Sequence, residues 1–224
     1  MNVKPMIFNT DMVRALVDGK KTQTRRPFTK RTIKLFDYAA QACECSPFIS
    51  VGQMHANDES YALQFAPVAP GDLVYVRERF CIGGIDETDR EHPSDRKEYV
   101  HQDGVGHQIP FEECIRNAIL TDDVVWKPSI HMPREFSRIT LKVTGVRVER
   151  VQTISGNDCI SEGFAGGHGS IPGYMYNATP KEHFANAWQE IYGDHWQSNG
   201  WCWVIDFEVI HKNVDHYIAL KEVA

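Results

Sequence analysis

Apolar and polar residues alternate along several segments of the chain with the two-residue period of a β-strand. The clearest case is residues 201–209, where every odd position is Trp, Ile, Phe or Val. Residues 138–151 alternate on both sides of Gly145, which predicts a long strand with a bend or bulge at the glycine. Apolar runs at residues 5–8 and 73–78 predict two more strands. The aromatic density of residues 201–209 favours a core strand of a small curved sheet or barrel.

Capping signals predict helices between these strands. Thr10 precedes a helix over residues 11–18, and Gly19 follows it at the position of a left-handed C-cap. Residues 179–182 form a capping box with proline at the first helical position. The other predicted helices cover residues 155–162, 180–192 and 212–224.

Helices and strands do not alternate regularly, so the parallel sheet of a βαβ fold is not expected. We expect one α+β domain over residues 1–224, with a mixed, mostly antiparallel β-barrel and peripheral helices. Residues 36–69 and 82–123 lack clear periodicity and are predicted to be long loop insertions. Loops of this length are binding elements or disordered, so a protein partner would bind through them.

The charge is unevenly distributed along the chain. A formal net charge of −6 argues against a protein that coats nucleic acid over its whole surface. Residues 19–35 nevertheless contain seven basic residues and no acidic one, which predicts a local positive patch. Threonines, Thr22 among them, lie between the cations, and both groups bind phosphate oxygens. The segment is a candidate site for an anionic or nucleotide-like ligand, and a solvated charge run is the alternative.

Several classes of protein are disfavoured. No stretch reaches the roughly 18 apolar residues of a membrane span, and residues 1–6 lack the apolar core of a secretory signal. We therefore expect a cytoplasmic protein with no membrane contact. The six scattered cysteines are expected to be free thiols, and Cys43, Cys45 and His55 lack the second ligand pair usual in zinc sites. No dinucleotide, Walker or zinc-protease motif occurs, so no metal and no cofactor is expected.

Lys21 and Thr24 are the strongest candidates for catalytic residues. A threonine hydroxyl attacks only after a neighbouring base takes its proton, and a lysine acts as that base when its pKa is depressed. The basic segment supplies cations that would depress it, namely Lys20, Arg25 and Arg26. The alternative is that both residues lie on the surface and contact phosphates.

Two further regions supply candidate ligand contacts. Glu78 and Glu162 are the candidate carboxylates, and for each a solvated charge is the alternative. Residues 126–134 are held extended by two prolines and combine an aromatic face with three basic side chains, which would suit a base and its phosphate. Those side chains are Trp126, Lys127, His131 and Arg134. A structural loop with the tryptophan in the core is the alternative.

Three of these segments resemble one known family. Residues 19–26, G-K-K-T-Q-T-R-R, resemble the G-[RK]-K-T-x-T-x-R signature of the ASCH domain, a relative of the PUA RNA-binding fold. Residues 71–78, G-D-L-V-Y-V-R-E, resemble the strand motif of the family, and residues 126–134 resemble a longer, phage- and prophage-type branch. The resemblance spans nearly the whole chain. It implies a PUA-like β-barrel whose cleft is lined by residues 19–26.

The resemblance also implies alternative functions. Some members of the superfamily are amidohydrolases that remove the acetyl group from N4-acetylcytidine, and others bind or cleave RNA. In the first case Thr24 would attack, Lys21 would take its proton, and Glu162 would orient or protonate the leaving group. We expect binding of RNA or a modified nucleoside or nucleotide in a basic cleft. The alternatives are an amide hydrolase or ribonuclease, and a phage accessory protein that senses a nucleotide and binds a protein in a bacterial or phage-infected cytoplasm.

Overall fold

The computed structural model describes residues 1–45, 56–82, 99–101 and 127–222, and this part of the chain has an α+β fold. The strands are β1 Val3–Ile7, β2 Gln23–Pro27, β3 Leu73–Arg77, β4 Phe80–Ile82, β5 Tyr99–His101, β6 Thr140–Arg150 and β7 Trp201–Ile210. The α-helices are α1 Thr10–Val17, α2 Lys30–Gln41, α3 Ala56–Leu63, α4 Gly156–Ser161, α5 Pro180–Tyr192 and α6 Val214–Glu222. Short 3-10 turns cover Ser129–His131, Arg134–Phe136, Val151–Thr153 and Gly193–His195. Most of the 82–123 insertion, Trp126 and His55 lie outside the described residues.

Five strands form one mixed sheet in the order β1-β3-β6-β7-β2. β1 runs parallel to β3, and the other three pairings are antiparallel, as the sequence predicts. β4 and β5 form a separate antiparallel pair. Within the described residues β1 and β2 are edge strands, so the sheet is open and the predicted closure into a barrel is not confirmed.

The long β6–β7 pairing confirms the predicted bulge. The register runs from Thr140 opposite Ile210 to Arg150 opposite Trp201, with a shift between Val143 and Gly145. A Cβ atom at Gly145 would lie 3.3 Å from a carboxylate oxygen of Asp206, so the glycine leaves room for that side chain.

Most predicted helix boundaries agree with the structure. Gly19 and Gly163 follow their helices with φ of 68° and 94°, and α5 begins with the predicted capping box. One boundary is corrected: the side chain of Asn9, not that of Thr10, accepts the hydrogen bond that caps α1.

The prediction of an irregular loop over residues 36–69 is wrong for residues 36–41 and 56–63, which are helical. Helix α2 extends to Gln41, and α3 follows at Ala56–Leu63. The face of α2 that packs on the core carries Thr32, Phe36 and Ala39, so a polar residue interrupts the apolar spacing by which a helix is recognised.

The two faces of β7 pack against different cores. Trp203, Ile205 and Phe207 join a core with residues of β3, β6, α1 and α2. Cys202 and Val204 join a second core made by α4 and α5, which includes Phe184 and Trp188. This second core lies beside edge strand β2 and positions the candidate site described below. No helix in the described ranges has the length and apolar character needed to cross a membrane.

Candidate functional site

The side chain of Lys21 lies inside the protein, against Glu162. Its Nζ donates hydrogen bonds to the Oε2 and main-chain oxygen atoms of Glu162, both at 2.8 Å, and neither side chain is more than 2% exposed. The main-chain amide of Lys21 donates to the carbonyl of Ala15, so the end of α1 fixes where the lysine begins. A buried ion pair therefore links the basic segment to a residue 141 positions away.

Glu162 reaches this position because the chain turns sharply after α4. Gly163 adopts a φ of 94°, and a Cβ atom there would lie 2.9 Å from the Cβ atom of Ala15. The glycine therefore supplies both a left-handed backbone and the close approach of α4 to α1. The pair of Lys21 and Glu162 lies where these two helices end.

Arg25 is the second buried cation of the site. Its guanidinium donates to Glu162 Oε1 at 3.3 Å, to Glu149 Oε2 at 2.8 Å and to the side-chain oxygen of Gln23. Asp158 lies 3.6 Å away. One guanidinium thus holds three carboxylates from β6 and α4, and it fixes the oxygen of Glu162 that Lys21 does not contact.

The network continues across β6 and β7. Arg147 pairs with Glu149 at 2.7 Å and with Asp206, and Gln23 donates to Asp206 at 2.7 Å. The connected groups comprise three cations, Lys21, Arg25 and Arg147, and four carboxylates, Glu149, Asp158, Glu162 and Asp206. The buried charges of the basic segment are therefore neutralised inside the protein rather than presented to an external polyanion.

Burial and pairing act in opposite directions on these cations. Burial lowers the pKa of Lys21 below its ordinary value, although the adjacent Glu162 carboxylate acts to raise it. Burial also acts to lower the pKa of Arg25, but the Glu162 and Glu149 carboxylates raise it overall. Of these two buried cations, Lys21 is therefore the one whose pKa is shifted toward loss of its proton.

A cavity of about 180 Å³ lies beside edge strand β2. Its polar wall is made by Thr24, Arg25, Arg26 and Glu162. The remaining lining residues are mainly apolar or aromatic: Ile7, Met12, Phe164, Phe184, Ala187, Trp188, Ile191 and Tyr192, with Asn9 beside them. The cavity therefore combines aromatic walls with a few polar groups, as small-molecule sites usually do.

Thr24 lines this cavity, and its hydroxyl is not used in a hydrogen bond with the described residues. The residue is buried, and its side chain has no hydrogen-bond partner among the residues that the structure describes. Glu162 lines the same cavity, and Lys21 lies directly behind Glu162. The three residues predicted for catalysis are thus brought together around one wall, with Glu162 between the cavity and the lysine.

Arg26 lies on the same face of β2 as Thr24, two residues along the strand. It is only partly buried, and its Nη2 and Nη1 atoms donate to the carbonyl of Ile7 at 2.7 Å and to the hydroxyl of Tyr192 at 3.4 Å. The guanidinium carbon lies 5.1 Å from the centre of the Phe8 ring. No carboxylate pairs with Arg26 in the described ranges.

Three other predicted contacts lie away from the cavity. Lys20 is exposed and pairs with Asp18 at 2.7 Å, and Thr22 is exposed. Glu78 is buried in a two-pronged ion pair with Arg138, with both contacts at 2.9 Å. The carboxylate of Glu78 is therefore used within the fold, and Glu78 is not among the residues that line the cavity.

Residues 127–134 do not form a wall of the cavity either. Arg134 pairs with Asp215 at the start of α6 and lies 5.8 Å from the ring of Tyr75, while Lys127 and His131 are exposed. This loop thus packs against β3 and α6, and none of residues 127–134 is among those that line the cavity. The predicted role of Trp126 falls outside the described residues.

The aromatic walls of the cavity were not predicted as ligand contacts. Phe184, Ala187, Trp188 and Ile191 follow the i, i+3, i+4, i+7 spacing of one helix face, which the sequence identifies only as the apolar face of α5. No local sequence pattern marks Asn9 or Tyr192 as a ligand contact. Their shared position depends on how α1 and α5 approach β2, and no local pattern encodes that approach.

Comparison of the chain with family models, with curated proteins and with solved structures gives no match. Among the described residues no cluster of three or more His, Cys, Asp or Glu side chains could hold a metal ion.

Proposed function

We propose that the cavity binds the base of a modified nucleoside. The observation that carries this proposal is the composition of its lining, which combines Thr24 and Glu162 with aromatic residues that include Phe164, Trp188 and Tyr192. A nucleobase has two apolar faces and a polar edge. Aromatic stacking contributes about 1–3 kcal/mol per base, and hydrogen bonds to the edge provide selectivity.

The size of the cavity restricts what can enter. About 180 Å³ is below the range of roughly 300–1,000 Å³ that holds drug-sized ligands. A ring system fits this space, while a sugar would lie at the opening. An RNA chain is disfavoured as the main ligand, because Lys21 and Arg25 are paired internally and the chain carries a net charge of −6.

Membership of the ASCH family with a PUA-like fold is part of this proposal. The mostly antiparallel sheet, and the position of the G-K-K-T segment beside a cavity, support it. A cytoplasmic location and a protein partner for the long insertions are further parts that rest on the sequence alone.

A second candidate function is hydrolysis of an acyl amide on the base. It is favoured by the unpartnered hydroxyl of Thr24 and by the lowered pKa of Lys21. Thr24 Oγ1 would bond to the acyl carbon while its proton passes, by way of the Glu162 carboxylate that lines the cavity, to the unprotonated form of Lys21. The C–N bond would then break, and the amine would leave with that same proton, returned from Lys21 through Glu162. Water would finally hydrolyse the threonine ester to release the acid and restore the hydroxyl.

The test uses N4-acetylcytidine with the wild-type protein and the Thr24→Val and Glu162→Gln variants. Calorimetry measures binding, and chromatography measures release of cytidine. We expect Thr24→Val to weaken binding about tenfold or more if the hydroxyl contacts the ligand. The exposed Thr144 of β6 lies away from the cavity, so Thr144→Val is the matched control and should bind normally.

The outcomes separate the two candidate functions. Binding without turnover supports a binding protein, and cytidine release that disappears in Thr24→Val and Glu162→Gln supports a hydrolase. If no nucleoside in a panel of acylated and unmodified pyrimidines and purines binds or reacts, the proposal is wrong. Equal binding by the wild type and Thr24→Val would remove Thr24 from the site.

A further inference from the structure

Arg26 differs from the other cations of the basic segment that reach the cavity region. Lys21 and Arg25 each pair with buried carboxylates, whereas Arg26 has only a carbonyl and a phenol as hydrogen-bond partners in the described part of the chain. Its Nη1 and Nη2 atoms each use one N–H in these contacts. Since each carries two, further N–H donors remain on a charged group that lines the cavity.

Asn9 supplies a second donor on the same cavity. Its Oδ1 atom accepts from the amide of Met12 at 2.9 Å and so caps α1. Its Nδ2 atom has no hydrogen-bond partner within the residues described. Asn9 also lies at the N-terminal end of α1, where the helix dipole favours a negative charge.

The spacing along β2 separates Arg26 from Thr24 within the polar wall of the cavity. Thr24 and Arg26 project from the same face of the strand and are two residues apart, which corresponds to about 7 Å. Arg26 is partly exposed while Thr24 is buried, so the cation lies toward the open side. A ligand that spans both residues has a polar ring at one end and an anion at the other.

We propose that the ligand is a nucleoside monophosphate, whose phosphate binds Arg26 and Asn9 while its base lies against Thr24. This inference rests on the proposed nucleobase site. The planar fork of an arginine fits two phosphate oxygens, and such charge-assisted hydrogen bonds are roughly twice as strong as neutral ones. The acidic chain favours a single nucleotide over a nucleic-acid strand as the source of the phosphate.

The experiment compares N4-acetylcytidine with its 5′-monophosphate by calorimetry. For the wild type we expect the monophosphate to bind about tenfold or more tightly, with a preference that falls as salt is added. Arg26→Gln and Asn9→Asp should abolish the preference, so that each variant binds the nucleoside and the monophosphate with about the same affinity. Asn9→Asp is informative because aspartate still caps α1 but repels phosphate. The exposed Arg31 of α2 is the matched control, and Arg31→Gln should keep the preference.

Arg26→Lys serves as the second variant if Arg26→Gln does not fold. Lysine keeps the positive charge but lacks the planar pair of N–H donors of the guanidinium. It should retain only part of the preference. Equal affinities of the wild type for nucleoside and monophosphate would overturn the inference while the nucleobase site stands. A loss of affinity for both ligands in folded Arg26→Gln would assign Arg26 a structural role instead. Tighter binding of a short oligonucleotide than of the monophosphate would overturn the choice of ligand, and absence of binding by either small ligand would overturn the site itself.

Discussion

Lys20 and Lys21 are adjacent in the sequence, and each pairs with one carboxylate at nearly the same distance, 2.7 and 2.8 Å. Their surroundings differ. The side chains of Lys20 and Asp18 are 69% and 51% exposed, whereas those of Lys21 and Glu162 are 0% and 2% exposed. Water screens the first pair and is excluded from the second, so the cost of breaking each pair should differ greatly.

We predict that Lys21→Met lowers the free energy of unfolding by about 3–5 kcal/mol, because it leaves Glu162 buried with one partner fewer. Lys20→Met should cost less than about 1 kcal/mol. Urea unfolding of both variants measures the difference. Equal small costs for the two lysines would mean that the Lys21–Glu162 pair does not form.

The sequence predicts the basic segment but not the fate of its charges. Seven basic residues without an acidic neighbour indicate a positive patch, and Lys20, Lys30 and Arg31 are indeed exposed. Lys21 and Arg25 are instead neutralised by carboxylates more than 100 positions away. A window of neighbouring residues contains no information about such contacts, because they depend on how the elements pack.

Among the secondary-structure elements, α4 begins with one glycine and is followed by another, and the two have opposite roles. Gly156 opens the helix with space around it, and its backbone is not in the left-handed region. Gly163 follows the helix at a φ of 94°, with Ala15 of α1 against it. The first position tolerates a side chain, and the second does not.

Gly163→Ala should therefore lower the free energy of unfolding by about 1–3 kcal/mol, through backbone strain and the contact with Ala15. Gly156→Ala should be neutral or stabilise by up to about 1 kcal/mol, because alanine restricts the unfolded chain and favours the helix. Thermal unfolding of the two variants gives the comparison. A tolerated Gly163→Ala would show that α1 and the end of α4 do not approach as closely as described.

Element prediction succeeded where the signals are local. The structure confirms the capping box at Thr179 and Glu182 and the strands predicted from apolar–polar alternation along β6 and β7. Each of these signals depends on residues only a few positions apart. Helix α2 was missed because Thr32 lies on its buried face, where an apolar residue would have completed the helical period. The residue types of Lys21, Thr24 and Glu162 make them candidates, and the resemblance to a family signature assigns their joint catalytic roles, while the aromatic lining of the cavity depends on tertiary structure.

At the scale of the whole molecule, barrel closure depends on the two edge strands. β1 and β2 are joined by the side chain of Arg26, which donates to the carbonyl of Ile7, rather than by a main-chain ladder in the described ranges. Alternation along each strand predicts which face is buried but not whether the first and last strands meet. The open sheet leaves the edge of β2 beside α5, and the cavity lies there.

The pH dependence of stability also belongs to the whole chain, because it sums groups whose pKa values change on folding. Burial raises the pKa of Cys159 to about 11 and that of Cys202 to about 12, from an ordinary value of 9.0. The folded chain therefore keeps thiol protons that the unfolded chain releases above pH 9. Burial lowers the pKa of Lys21 in the folded chain. As the pH rises, the folded chain therefore loses the lysine proton first, whereas the unfolded chain keeps it up to about the ordinary pKa of 10.5. The two effects on stability have opposite signs. As the pH rises, titration of the thiols lowers the free energy of unfolding, and titration of the lysine raises it.

We predict that Cys202→Ala flattens the loss of stability between about pH 9 and 11, because each thiol contributes up to about 1.4 kcal/mol per pH unit in that window. Lys21→Met should steepen the loss, since it removes the opposing lysine contribution. Urea unfolding at closely spaced pH values measures the slopes, and differences in absolute stability between the variants do not affect them. The exposed Cys43 provides the control, and Cys43→Ala should reproduce the wild-type slope. If Cys202→Ala had the same slope as the wild type, Cys202 would not be held protonated by burial, and the packing of α4 and α5 against β7 would be looser than described.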